Sequence, residues 1–385
     1  MHHGIPLIQR LLITLGAALL VACSSSPKKV AVESTLPEQA VAWPAPVRSV
    51  PLLVTNSPPQ PLLDVGVAIF DAGVPADEST HSKLGIFPKI RAAEAKYIPV
   101  FLRQVLVESG AWGAVRVLPE PGSASNLQIT GTIVHSDGLR LVLDIEAIDA
   151  SGRTWLSKTY HDEAAASDYP VGQDGDPYLD LYHAIANDLV KVRVAIDERV
   201  LVTLPAVTEM RYAATLSPDA FAGYLQTAPD GTLTAARLPA SNDPMLMRVK
   251  RIQNQEYLFI DTVDEQYLNL YEAMGPTYDL WRQYGREQAI YKQEYQQRVA
   301  GRDKYGRRGT FIQMEQTYNA FKLTKIQEQD LDELASGFSN EVAPTIMESS
   351  GKVFRLSGTL DTQYTEWQSI LKQIFALETG LPPTE

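Results

Sequence analysis

Residues with the chemistry to bind a metal or cleave a substrate are few in this chain and widely scattered. It has 385 residues, with 6 histidines and a single cysteine, Cys23. A helical zinc site needs two histidines four positions apart, and no such pair occurs. His161, Asp162 and Glu163 are adjacent in sequence, so they do not have the spacing of metal ligands. We therefore predict no metal site and no cofactor.

An acidic stretch between Asp168 and Asp180 comes closest to a cation site. It lacks the twelve-residue spacing and terminal glutamate of a calcium-binding hand. Asp176 precedes Pro177, an order typical of a helix cap followed by the first helical residue. A solvated loop and a cation site both remain open, and the spacing favours the loop.

Motifs for nucleophilic catalysis and nucleotide binding are absent from the sequence. There is no Gly-x-Ser-x-Gly, no phosphate-binding loop of the Walker type and no dinucleotide fingerprint. Paired carboxylates for glycoside cleavage stay open, because their spacing is set in three dimensions and not along the chain. We expect a non-catalytic protein with no catalytic residues, and keep a hydrolase as the alternative.

Two groups of residues in the C-terminal third point to a partner. Aromatic side chains recur there at helical spacing, and three of them are candidates for stacking on a glycan or anchoring a partner: Tyr278, Trp281 and Tyr284. The alternative is a packed seam between helices. The second group is a basic turn that contrasts with the net charge of −12: Arg302, Lys304, Arg307 and Arg308. An anionic partner or a solvated loop explains it.

The N-terminus carries the most specific motif. After Arg10, residues 11–22 form an uncharged run that suits a signal-peptide core and is too short to span a bilayer. The run closes with Leu20-Val21-Ala22-Cys23, which resembles the lipobox of bacterial lipoprotein precursors.

Membership of that family implies that residues 1–22 are removed and that Cys23 is lipidated. The acyl chains, palmitate among them, would anchor the protein to a membrane. By the family's sorting rules, Ser24 after the cysteine implies the outer membrane, with the protein on its periplasmic face. A lone cysteine also suits the oxidising periplasm.

Composition agrees with a folded, water-soluble body behind this leader. Hydrophobic residues make up 45% and charged residues 21%, which excludes a disordered chain and a protein of many membrane spans. The acidic balance argues against nucleic acid as the main partner.

The pattern of predicted helices and strands, which must position any site, indicates an α+β protein. Eight prolines between residues 24 and 61 indicate a lipid anchor and Pro-rich tether over 23–63. An α/β sandwich-like domain of order β-α-β-β-β-α follows over 64–200, with one sheet face under helices and the polar face in water. We expect a connecting region over 201–243.

The last segment, 244–380, is predicted to be an elongated all-α helical hairpin or bundle. Its first helix begins after Asp243 and is broken or kinked at Gly275-Pro276. A glycine-rich turn over 301–309 leads to a return helix ending near Glu348, then a linker over 353–362 and a final helix.

The order of elements over residues 64–198 resembles the periplasmic α/β domain of several outer-membrane lipoproteins. These are the curli secretion subunit, the polysaccharide-export accessory lipoprotein, the lipoprotein activators of peptidoglycan synthases and the N-terminal domain of the Tol-Pal translocation protein. The matching segments are Val65–Asp71, Val107–Trp112, Val115–Leu118 and Asn126–Thr132.

This resemblance implies a docking, assembly or regulatory role in the cell envelope. The expected partners are an envelope protein, peptidoglycan or polysaccharide, and a homo-oligomer is possible. The alternatives are a periplasmic enzyme of wall or polysaccharide metabolism and an oligomeric export component. No pair of long amphipathic strands suits membrane insertion, so we do not expect a pore.

Overall fold

The structure is a computed structural model, and it describes residues 43–56, 59–172, 175–240, 242–300, 322, 325–337 and 344–381. Its strands are β1 (Val65–Ala68), β2 (Val115–Leu118), β3 (Leu127–Ser136), β4 (Arg140–Asp149), β5 (Thr154–Glu163), β6 (Leu225–Thr227), β7 (Leu233–Ala235), β8 (Thr345–Ser349) and β9 (Lys352–Leu356). Its helices are α1 (Glu78–Leu84), α2 (Pro88–Glu108), α3 (Leu179–Ala195), α4 (Glu198–Leu216), α5 (Pro218–Phe221), α6 (Pro244–Ala300), α7 (residues 325–337) and α8 (Leu360–Thr379).

The first five strands form one mixed sheet in the order β2-β1-β3-β4-β5. β1 is parallel to both of its neighbours, and β3, β4 and β5 form an antiparallel meander. Helix α2 makes the crossover between β1 and β2 that a parallel pair requires. The predicted order β-α-β-β-β-α and the α+β class are confirmed.

Helices α2 and α3 cover one face of this sheet. Alternate residues of β3 and β4, such as Ile129 and Leu143, are buried against Leu102 of α2 and Leu181 of α3. Burying a side chain of this size stabilises the fold by about 1.5–3 kcal/mol. Helix α2 contains Pro99 in its interior, so this proline does not divide it into two helices.

The second face of the sheet is only partly covered. A loop over residues 119–126 folds across β1, where Gln128 donates a hydrogen bond to the carbonyl of Gly66 (3.1 Å). A Cβ on Gly66 would lie 2.6 Å from the Leu118 side chain, so the loop and strand ends approach the backbone closely at this point. Beyond the loop, the polar side chains of β3, β4 and β5 stay open.

Helix α6 packs against the sheet domain along much of its length. It covers the edge of β2, where the carboxylate of Asp264 accepts the backbone N–H of Val117 (2.7 Å) and pairs with Arg103 (2.8 Å). Further along, Phe259 stacks near Tyr364 of α8. The described residues from Trp43 onward form one compact unit, so the described helical part is docked on the sheet and does not stand apart from it.

Three local predictions differ from the structure. Residues 345–356 form the β8–β9 hairpin where we expected the end of a helix and a linker, because burial alternates along β8 and Ser350-Gly351 turns with positive φ. Helix α4 fills the start of the predicted connecting region, capped by Asp197. Helix α6 continues through Pro276 without a break.

Candidate functional site

A groove with a volume of about 640 Å³ lies on the uncovered face of the sheet. Its floor consists of side chains from β3, β4 and β5 that alternate with the buried residues of the same strands. The polar residues of this floor are Thr130, Thr132, Asp144, Glu146, Ser157 and Thr159.

Strand register arranges these residues in two parallel rows. In the first row Asp144 pairs with Thr132 on β3 and with Thr159 on β5. The second row repeats the pattern, with Glu146 between Thr130 and Ser157. Each row therefore presents a hydroxyl, a carboxylate and a hydroxyl across three strands.

The loop over residues 119–126 reaches the groove at Pro121. Pro121 of this loop also borders two smaller cavities, of about 300 and 190 Å³, which continue toward α4 and α8. Arg211 of α4 lines the first of these and donates to the carbonyl of Ala150 (3.3 Å). All three cavities share Pro121, and their lining residues together run from β5 to α8.

The charge of the main groove is negative. Asp71, Asp144 and Glu146 line it and are exposed. Lys158 is the one cation among its lining residues, and Asp188 of α3 holds its ammonium at 2.7 Å. None of the residues that line this groove is aromatic.

The predicted aromatic contact surface is wrong for Tyr278 and Trp281, which are each 1% exposed. Helix α6 turns this face onto α2, where the hydroxyl of Tyr278 donates to the Glu94 carboxylate (2.7 Å) and Trp281 packs against Phe87. Tyr284 is half-buried. These residues form the packed seam that was the alternative interpretation.

Glu94 is the centre of that seam and has no exposed surface. Burial raises the pKa of its carboxyl, although Arg91 lies 3.8 Å away and Ser136 and Tyr278 donate hydrogen bonds to it. Because the group joins α2, β3 and α6 away from solvent, its position indicates a structural role.

The acidic stretch contributes a second buried contact instead of a solvated loop. Asp176 accepts hydrogen bonds from Arg282 of α6 (2.6 Å) and from the backbone N–H of Tyr178, just before α3 begins (2.8 Å). Burial alone lowers the pKa of Arg282, but Asp176 and the nearby tyrosine side chains together more than offset this and hold the pKa above its ordinary value. The expectation of a solvated loop is wrong at Asp176.

Residues 43–63, here called the strap, are docked on α3 over their described part. The Asp180 carboxylate accepts the backbone N–H groups of Ser49 (2.7 Å) and Val50 (2.9 Å). Asn187, two turns along α3, bonds the next part of the strap with both ends of its amide, at 2.8 and 2.9 Å.

The last part of the strap is held through carbonyl groups, because proline has no backbone N–H. Arg193 donates to the carbonyls of Pro59 (2.9 Å) and Pro61 (2.6 Å). Over the described residues between 43 and 63 the predicted tether is therefore a docked segment.

The strap begins at a small aromatic and histidine pocket near the end of β5. The ring of Trp43 lies 4.7 Å from that of His135 and 5.5 Å from that of His161. Arg140 lies over the same indole at 5.5 Å, and His161 Nδ1 donates to the carbonyl of Pro44 (2.8 Å). Nothing in the spacing of the sequence predicted this pocket.

Cys23 and the basic residues Arg302, Lys304, Arg307 and Arg308 lie outside the described residues. In the part of the chain that the structure covers, no group of three or more His, Cys, Asp or Glu is arranged to hold a metal ion. No helix among the same residues combines the length and the apolar character needed to cross a membrane.

Comparison with known proteins adds no relative. No family model matches the chain, and neither the curated proteins nor the solved structures contain a match.

Proposed function

We propose that this protein is a non-catalytic lipoprotein of the outer membrane, facing the periplasm, that docks a partner of the cell envelope. The lipobox-like sequence ending at Cys23 supports the anchor and its location. The groove on the uncovered sheet face supports the docking role, because it offers a wide polar floor beside the loop over residues 119–126.

Binding fits the groove better than catalysis. A general acid at neutral pH needs a carboxyl whose pKa is raised and which can reach the substrate. Glu94 and Asp162 have raised pKa values through burial, but neither lines the groove. The ligands that we propose are an envelope protein, peptidoglycan or polysaccharide, or a second copy of the chain.

Crosslinking in living cells tests the docking role. A photoreactive amino acid replaces Ser157 on the groove floor, and a matched variant carries it at Val194, which is exposed on α3. We expect a discrete adduct from position 157 that is absent at position 194. Equal labelling from both positions, or none from position 157, would contradict the groove as the docking site.

Metabolic labelling tests the anchor separately. Radiolabelled palmitate should label the wild type, and Cys23→Ser should abolish both the label and the fractionation with outer membranes. A Cys23→Ser protein that stays with the membrane would refute the lipid anchor without bearing on the groove.

A further inference from the structure

We propose that the groove receives an extended segment of a partner protein with Lys or Arg at alternate positions. This inference rests on the proposed docking function and names the chemistry of its partner. It starts from the placement of Asp144 and Glu146, which lie two residues apart on β4 and face the same side of the sheet.

Strand geometry sets the distance between these two carboxylates. Successive side chains on one face of a strand are separated by about 6.8 Å along the chain. An extended peptide has the same repeat, so its side chains at i and i+2 match the two acidic positions. A helix presents one face only at i and i+4, about 6.0 Å apart, and a compact ligand has no repeat of this kind.

The hydroxyl rows complete a site for a polypeptide. Thr132 and Thr159 flank Asp144, and Thr159 already donates a hydrogen bond to it (2.5 Å). The remaining hydroxyl donors and acceptors are free to bond the peptide groups or the polar side chains that alternate with the cations.

Charge selects against the other envelope ligands. Asp71, Asp144 and Glu146 repel acidic polymers, and the one lining cation, Lys158, is already paired with Asp188. Neutral glycans are bound mostly by aromatic platforms, and no aromatic side chain lines this groove. A basic protein segment gains from both the local carboxylates and the net charge of the chain.

Peptide binding tests the inference on the mature full-length chain in detergent. The probe is an acetylated and amidated heptapeptide, Ser-Lys-Ser-Lys-Ser-Lys-Ser. The comparison peptides replace Lys by Glu, or place the three Lys residues next to one another. We expect the alternating Lys peptide to bind at least about threefold more tightly than the contiguous one, and no binding of the Glu peptide.

Two double variants with the same change in charge locate the site. The double substitution of Asp144→Asn with Glu146→Gln should lower the affinity for the alternating Lys peptide by about tenfold or more. Glu265→Gln with Glu272→Gln removes two exposed carboxylates of α6 outside the groove and should leave affinity within about twofold.

Three results would overturn the inference: equal loss in both double variants, equal binding of the Glu peptide, or binding of chitohexaose in preference to the Lys peptide. A crosslinked adduct from position 157 together with any of these would leave the docking function intact and remove only the basic partner. Failure of that crosslink would remove the docking function itself.

Discussion

Asp162 and Arg282 are both buried ionisable side chains, but in the described part of the chain only Arg282 has partners that compensate a charge. Arg282 has the carboxylates of Asp176 and Asp279 within 2.6 Å, so its charge is compensated. Asp162 accepts a backbone hydrogen bond from Glu163, and no cation pairs with it among the described residues. Burial, together with nearby Asp180, raises the pKa of Asp162 to about 7.

The raised pKa of Asp162 makes stability depend on pH. Between about pH 4 and pH 7 the folded carboxyl holds a proton that the unfolded chain has lost, so the free energy of unfolding falls as pH rises through this window. Asp162→Asn removes this dependence. As pH rises from 5 to 8, we expect the free energy of unfolding of this variant to increase by on the order of 2 kcal/mol relative to that of the wild type.

Urea unfolding of both proteins across that pH range measures the effect. Glu265→Gln, an exposed carboxyl on α6, serves as the control and should shift the curve equally at every pH. A constant difference between wild type and Asp162→Asn would show that the carboxyl is already ionised in the folded state at pH 5.

At the level of elements, the strap shows why proline content alone misleads. Eight prolines indicated a free tether, and the sequence had no periodic apolar face to suggest docking. The hydrogen bonds that hold it come from one side of α3, from Asp180, His183 and Asn187 at three- and four-residue spacing. That spacing is visible in the sequence, but its partner segment lies more than 100 residues away.

Removing these side chains should release the strap. Asp180→Ala with Asn187→Ala deletes four hydrogen bonds, each with a net contribution of about 1 kcal/mol. We expect amide exchange at Ser49, Val50 and Leu53 to rise by about tenfold or more, while the sheet keeps its protection.

Asp188→Ala is the matched control for the strap, since this residue is on the same helix but binds Lys158 and Lys191. Its strap amides should exchange as in the wild type. Equal acceleration in the two variants would mean that α3 itself is loosened, and would contradict specific clamping of the strap.

On the scale of the whole molecule, the sheet and the long helix are joined at the β3–β4 turn. Gly138 in this turn has φ +80°, and a Cβ there would lie 2.2 Å from the carbonyl oxygen of Arg282 in α6. Gly152 in the β4–β5 turn has φ +89° with open space around it. Both glycines have a positive φ, which would strain any other residue, and of the two only Gly138 has a described helix within contact distance of an added Cβ.

Alanine substitutions at Gly138 and Gly152 test whether the helical part unfolds together with the sheet. Gly152→Ala should lower the free energy of unfolding by about 1 kcal/mol, because alanine is strained at positive φ. Gly138→Ala adds the clash with α6, and we expect at least about 2 kcal/mol more, seen as one cooperative transition by circular dichroism and tryptophan fluorescence. Equal costs for the two variants would contradict a tight contact between turn and helix.

The sequence predicted local elements well and their assembly poorly. Alternation of Leu127, Ile129 and Ile133 with polar residues predicted β3 and its open polar face, and Asp243 is indeed the cap of α6. The groove could not be predicted in the same way. Part of its lining, Pro121, comes from a loop, and the path of a loop leaves no periodic pattern in the sequence. The spacing of Tyr278 and Trp281 is the same for an exposed binding surface and for a packed seam. Only the tertiary contacts with α2 distinguish these two alternatives.

The docked strap also has a mechanical consequence. If Cys23 is held in a membrane, 20 residues separate the anchor from Trp43, a span of at most about 70 Å. Tension on that linker reaches the Trp43 pocket first, then the bonds to Asp180, and last those to Arg193. Force would therefore break these contacts one group at a time. The released part of the strap would extend the linker in steps, while the sheet stayed folded.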